Sequence, residues 1–189
     1  MNGLACLAGV SSLILAGLFM TTPLHSSLPP ATLQVSVLAV ILSSLSTFLT
    51  PFSSALGGQT IVAPWGEGLR LGLGPLVGWC LGGAVIGLLS RKAKSALPPA
   101  LLAPAIVYLL VLGLSMYVHP RLPGAVSWEV FLSRVAQAIL LDGPLDFAFI
   151  YILPLSFSLL SASLVESITA KPVPVQPRKR RFWEWVEEE

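Results

Sequence analysis

Apolar residues run in five long stretches along this chain, at about residues 3–20, 31–50, 71–90, 99–118 and 146–168, and short polar, proline-rich or glycine-rich segments divide them. Each stretch is near the ~20 residues that an α-helix needs to cross the hydrocarbon core of a bilayer. Prolines punctuate the pattern as helix ends require: Pro29 and Pro30 precede the second stretch, Pro51 closes it, and Pro98 and Pro99 open the fourth. Residues 51–70 are too broken by glycine and proline for a spanning helix, and Pro154 predicts a kink in the last stretch.

A sixth segment, residues 127–144, reads differently. Ser127 is an amino-terminal cap, Glu129 sits favourably in the first turn, and Gly143 and Pro144 end the helix. Trp128, Leu132, Val135 and Ile139 share one face, while Glu129, Ser133 and Gln137 form the opposing stripe with Arg134 beside them. Charges near the middle of about 15 residues make a poor span, so a helix at about 128–142 is expected in the interface or partly tucked into the bundle. The expected fold is therefore an all-α integral membrane protein: five transmembrane helices in residues 1–170, one amphipathic helix on the outer side, and a tail at 171–189.

Composition agrees with that pattern. Of 189 residues, 54% are hydrophobic and 11% are charged, against about 25% charged in a soluble domain. Five spans leave no room for a soluble catalytic domain, so any chemistry lies among the helices or in their loops. The net charge of +2 is local to two basic clusters, Arg91 to Lys94 and Arg178 to Arg181, which reads as topology and not as nucleic-acid binding. Cys6 and Cys80 fall inside apolar stretches without metal-ligand or CxxC spacing.

Placing both basic clusters in the cytoplasm puts eight of the eleven Lys and Arg residues inside. With five spans the amino terminus is then outside, the carboxyl terminus is cytoplasmic, and segments 51–70 and 119–145 are outside. A cleaved signal peptide at residues 3–20 is disfavoured, because no basic residue precedes it and TTPLHSSLPP is a poor cleavage site.

Candidate chemistry is sparse. Ser36, Ser43, Thr47 and Thr50 form a stripe that reads as interhelical hydrogen-bond glue or as the lining of a polar path. Gly74, Gly78 and Gly82, with Gly83 and Gly87, make one ridge of the third span nearly bare backbone. That ridge serves close packing, either within the chain or against a membrane-protein partner. Glu166 lies near a span end, where it snorkels or pairs with Lys171, and Asp146 reads as the cap of the last helix or, together with Asp142, as a binder of a cation. In the tail, Arg178, Lys179, Arg180 and Arg181 with Trp183 and Trp185 suit anionic lipid headgroups or a cytoplasmic partner. No motif for a metal, a cofactor or an enzyme is present.

The leading expectation is a non-enzymatic subunit or helper of a larger membrane assembly. The alternative is a solute-binding transporter component, with Glu67, Arg70, Glu129, Arg134 and Asp146 over a pocket. A lipid-modifying enzyme is the third reading, and it would draw on Asp142, Asp146, His119 and Arg121.

Overall fold

Helices dominate the fold, and three of them, over Gly3–Leu24, Ala93–Arg121 and Pro144–Thr169, are long and apolar enough to cross a membrane. The computed structural model describes residues 3–25, 31–64, 67–139 and 143–169. The expected tail contacts of Arg178 to Arg181, Trp183 and Trp185 lie outside those residues, as does Asp142.

In chain order the elements are α1 (Gly3–His25), α2 (Leu33–Ser46), α3 (Pro51–Ala55), β1 (Thr60–Val62), β2 (Glu67–Leu69), α4 (Gly74–Ser90) and α5 (Ala93–Val118). A 3-10 turn (His119–Arg121), α6 (Trp128–Gln137) and α7 (Pro144–Thr169) complete it. The strands form an antiparallel hairpin with Thr60 opposite Leu69. This hairpin marks one end of the bundle, and Arg91, Lys92 and Lys94 mark the other.

Contacts along the helices set their directions. Gly9 lies against Ile86, Gly82 against Leu13, and Gly74 against Met20, so α1 runs antiparallel to α4. Gly83 meets Pro154 and Gly87 meets Ser158, which makes α4 and α7 parallel. Glu166 reaches the start of α5 at Ala93, while Tyr108 lies beside Phe147, so α5 opposes α7. The Gly3 end of α1 and the Thr169 end of α7 therefore both sit at the basic end.

The second apolar stretch forms a helix shorter than the three that are long enough to cross. α2 has 14 residues, about 21 Å at 1.5 Å per residue, well short of a hydrocarbon core of about 30 Å. It begins near Tyr117, with which Leu33 and Gln34 share a groove at the hairpin end. It then passes Gly17 at Ser44 and reaches Gly78 with the ring of Phe48. There the chain turns back through α3 to the hairpin, and the Ser46 hydroxyl accepts a hydrogen bond from Ala63 N–H at 3.1 Å.

Local chemistry explains the reversal. The hydroxyls of Ser43 and Ser44 donate to Val40 O, that of Ser46 to Ser43 O, and that of Thr47 to Ser44 O. Hydroxyls bonded back onto the last carbonyls compete with helix continuation, and Pro51 supplies no N–H to prolong it. Of the stripe expected to glue helices together, Ser43 and Thr47 thus bond within their own segment; Ser161 on α7 does bond across helices, to Ala84 O at 3.1 Å. Residues 42–50 are buried throughout, which is the condition under which irregular backbone is tolerated at membrane depth.

Two boundaries also differ from expectation. α5 begins at Ala93, five residues before Pro98, because Arg91 takes a left-handed turn (φ 57°) and reverses the chain within Arg91 and Lys92. α6 is capped by Ser127, whose hydroxyl accepts from Val130 N–H, but Pro144 opens α7 instead of closing α6. The buried face of α6 is Phe131 and Val135, continued by Ile139, with Trp128 and Leu132 half-buried and Glu129, Ser133 and Gln137 exposed.

Candidate functional site

Asp146 is the group around which the hairpin end is organised. It lies in the first turn of α7, where its N–H donates to Gly143 O at 2.9 Å, and its side chain is wholly buried. One carboxylate oxygen, Oδ1, accepts from Phe52 N–H at 2.5 Å and from Ser53 N–H at 3.0 Å; Oδ2 accepts from the Ser53 hydroxyl. These are the free donors of the first turn of α3, where Pro51 has none to offer. Asp146 therefore caps α3 in trans and not its own helix, a correction to the sequence reading. Hydrogen bonds to a charged group contribute about 1.5–3 kcal/mol each, and here they offset the cost of burying the charge.

The surroundings hold that geometry. Phe52 stacks on Phe149 with centroids 4.8 Å apart. A side chain at Gly143 would overlap Asp146 Oδ2 and the Ser53 hydroxyl, so the close approach requires glycine. Ser54 donates to Gly72 O at 2.9 Å, and Trp79 Nε1–H to Phe48 O at 3.0 Å, fixing both sides of the reversal to α4. Ser53 and Trp79 escaped the sequence reading, because the partners of both lie far away along the chain.

Four buried polar atoms at this end have no hydrogen-bond partner among the described residues: Thr50 Oγ1, Tyr108 Oη, His119 Nε2 and Trp128 Nε1. His119 Nδ1–H donates to Ser115 O at 2.8 Å, so the free Nε2 is an acceptor, and its ring packs 4.8 Å from that of Phe131.

Of the five charged residues expected over a pocket, four have described side chains. Asp146 is inside the protein, whereas Arg70, Glu129 and Arg134 are exposed on β2's flank and on the outer stripe of α6; Glu67 belongs to β2. The reason is amphipathicity, because α6 spends its apolar face on the bundle and turns its charges away. Of the lipid-enzyme set, Arg121 is stacked over Tyr117, its guanidinium carbon 4.0 Å from the ring centroid, Asp146 is bound by Ser53, and Asp142 lies outside the described residues. Among the described residues no three His, Cys, Asp or Glu side chains come together.

The glycine ridge is filled by the chain itself. Met20 covers Gly74, Phe48 covers Gly78, Leu13 covers Gly82, Pro154 covers Gly83, and Ser158 with Ser161 covers Gly87. At the basic end Glu166 is exposed and accepts from Ala93 N–H at 3.3 Å, so it caps α5. Comparison with family models, curated proteins and solved structures finds no match to this chain.

Proposed function

We propose that this is a multi-pass membrane protein of the cell membrane in which α1, α4, α5 and α7 cross and α2–α3 re-enters from the hairpin side, and that it acts as a non-enzymatic subunit of a larger membrane assembly. Four crossings put the Gly3 end, the Arg91–Lys94 cluster and the Arg178–Arg181 cluster on one side, which positive-inside makes cytoplasmic. The observation that carries the subunit reading is the use of the buried charge: the Asp146 carboxylate is committed to Phe52 and Ser53, while Arg70, Arg121, Glu129 and Arg134 are exposed. A carboxylate spent on capping is scaffold and not a reagent. The large apolar side chains exposed on α1, α4, α5 and α7 face lipid or the helices of a partner.

Isolation from its native membrane in mild detergent tests the proposal. The expected result is migration well above the chain's own 20.0 kDa, with the same partner in constant ratio in repeated preparations. A lone chain would overturn it. One observation favours a second reading, a solute-binding transporter component: Thr50 of this segment and Tyr108, beside Phe147, carry buried hydroxyls without a partner among the described residues. Saturable solute uptake by proteoliposomes of the purified chain would move that reading ahead.

A further inference from the structure

Two grooves flank the exposed side of α2. One, of about 350 Å³, lies between α2 and α5 and is lined by Leu33, Gln34, Val37, Leu38 and Tyr117. The other, of about 420 Å³, lies toward α1 and is lined by Ile14, Leu18, Val37, Val40 and Ile41 with Ser36. Val37 belongs to both, so they form one apolar path over the ridge of the re-entrant helix.

The rim of this path is not apolar. Tyr117, which walls the first groove, carries Arg121: the guanidinium lies over its ring at 4.0 Å and Nη1–H donates to Tyr117 O at 3.0 Å. That contact uses one of the five N–H donors of an arginine and holds the planar fork in place, leaving the others for an oxyanion. A tyrosine at a helix end is also the aromatic-belt position at headgroup depth. A fixed cation at headgroup level above an acyl-sized apolar path is complementary to one kind of molecule.

We propose that this surface binds a glycerophospholipid with an anionic headgroup, its phosphate on Arg121 beside Tyr117 and Gln34, and its acyl chains in the grooves that meet at Val37. The inference rests on residence in a bilayer, and it goes beyond the subunit reading by naming a ligand class and its contacts. Bound there, the lipid covers the flanks of α2 that no other part of the described chain covers, and it thereby supports the re-entrant segment.

The test is photolabelling of the full chain in liposomes that contain phosphatidylglycerol or phosphatidylcholine with a diazirine in one acyl chain, at equal mole fraction, with adducts mapped by mass spectrometry. Phosphatidylglycerol adducts on residues 33–41 should exceed those of phosphatidylcholine by about fivefold, the preference that one basic residue near a surface confers. Arg121→Gln should abolish the preference, and Arg121→Lys should retain most of it. The lipid-facing Leu160 and Leu164 of α7, exposed and far from the groove, should label equally with both lipids in every variant. Equal labelling of 33–41 by the two lipids, or a preference that survives Arg121→Gln, overturns the site while leaving the bilayer reading intact. Absence of adducts on α7 as well would overturn the bilayer reading itself. Cross-links between two copies through α2 would assign the surface to self-association and overturn the lipid.

Discussion

A carboxylate taken out of water costs several kcal/mol even after the protein relaxes around it, so the few acids of this chain are informative about what they hold. The two acids of α7 whose contacts are described do the same work at opposite ends: Asp146 accepts from the first turn of α3, and Glu166 from the first turn of α5. Both meet the unsatisfied donors and positive end of another helix. Burial separates their worth. Asp146→Asn, which places an amide donor among donors, should destabilise the protein by about 1–3 kcal/mol; thermal unfolding in detergent measures it. Glu166→Gln, at an exposed position, should change the same midpoint little, since exposed charge interactions of this kind contribute about 0–1 kcal/mol. Arg91 provides a third case. Its φ of 57° is a conformation that costs an L-residue about 1–2 kcal/mol, so Arg91→Gly should raise the unfolding midpoint, and a lowered midpoint would show that the arginine side chain outweighs the strain.

At the scale of elements, packing through small residues decides which helices touch. Gly83 on α4 lies against the backbone of α7, and a Cβ there would come within 2.6 Å of Pro154 Cα and O. Gly83→Ala should therefore cost about 1–3 kcal/mol through forced separation of α4 and α7. Gly113 on α5 has nothing within 4 Å of a Cβ; Gly113→Ala should be neutral or stabilising by about 0.5–1 kcal/mol from backbone entropy alone. Midpoints of the two variants measured side by side check the pair. The same scale shows what was legible in the sequence. The amphipathic α6 with its Ser127 cap, and helices at the first, third, fourth and last apolar stretches, follow from periodicity, caps and proline positions. A helix in the second stretch was legible too, but its end at Ser46 was not, because hydropathy counts apolar residues and is blind to where a chain reverses. The decisive features were the serine and threonine hydroxyls of residues 43–47 turning onto their own carbonyls, and a donor–acceptor match between Ser53 and Asp146 that is separated by more than 90 residues. A local pattern carries no record of such a pairing, and for that reason Asp146 read as the cap of its own helix.

For the whole molecule, the difference between five crossings and four with a re-entrant segment is one of parity, and parity has a clean consequence. Five crossings place Gly3 on the same side as Gly124; four place Gly3 with Ser95 and opposite Gly124. Positive-inside alone does not discriminate, because no basic residue lies before Arg70 and the first two stretches carry no charge to orient them. The burial of residues 42–50 does favour re-entry, since a turn in the backbone at membrane depth needs protein around it. Single cysteines at Gly3, Ser95 and Gly124, in a chain with Cys6→Ala and Cys80→Ala, decide the matter when sealed cells are treated with a membrane-impermeant thiol reagent. Gly124 should be labelled from outside, and Gly3 and Ser95 only after the membrane is opened. Labelling of Gly3 from outside would restore the fifth crossing. A further cysteine at Leu33, exposed at the start of α2, should follow Gly124 and not Ser95 if α2 enters from the hairpin side, because a spanning second helix after an outside amino terminus would begin in the cytoplasm.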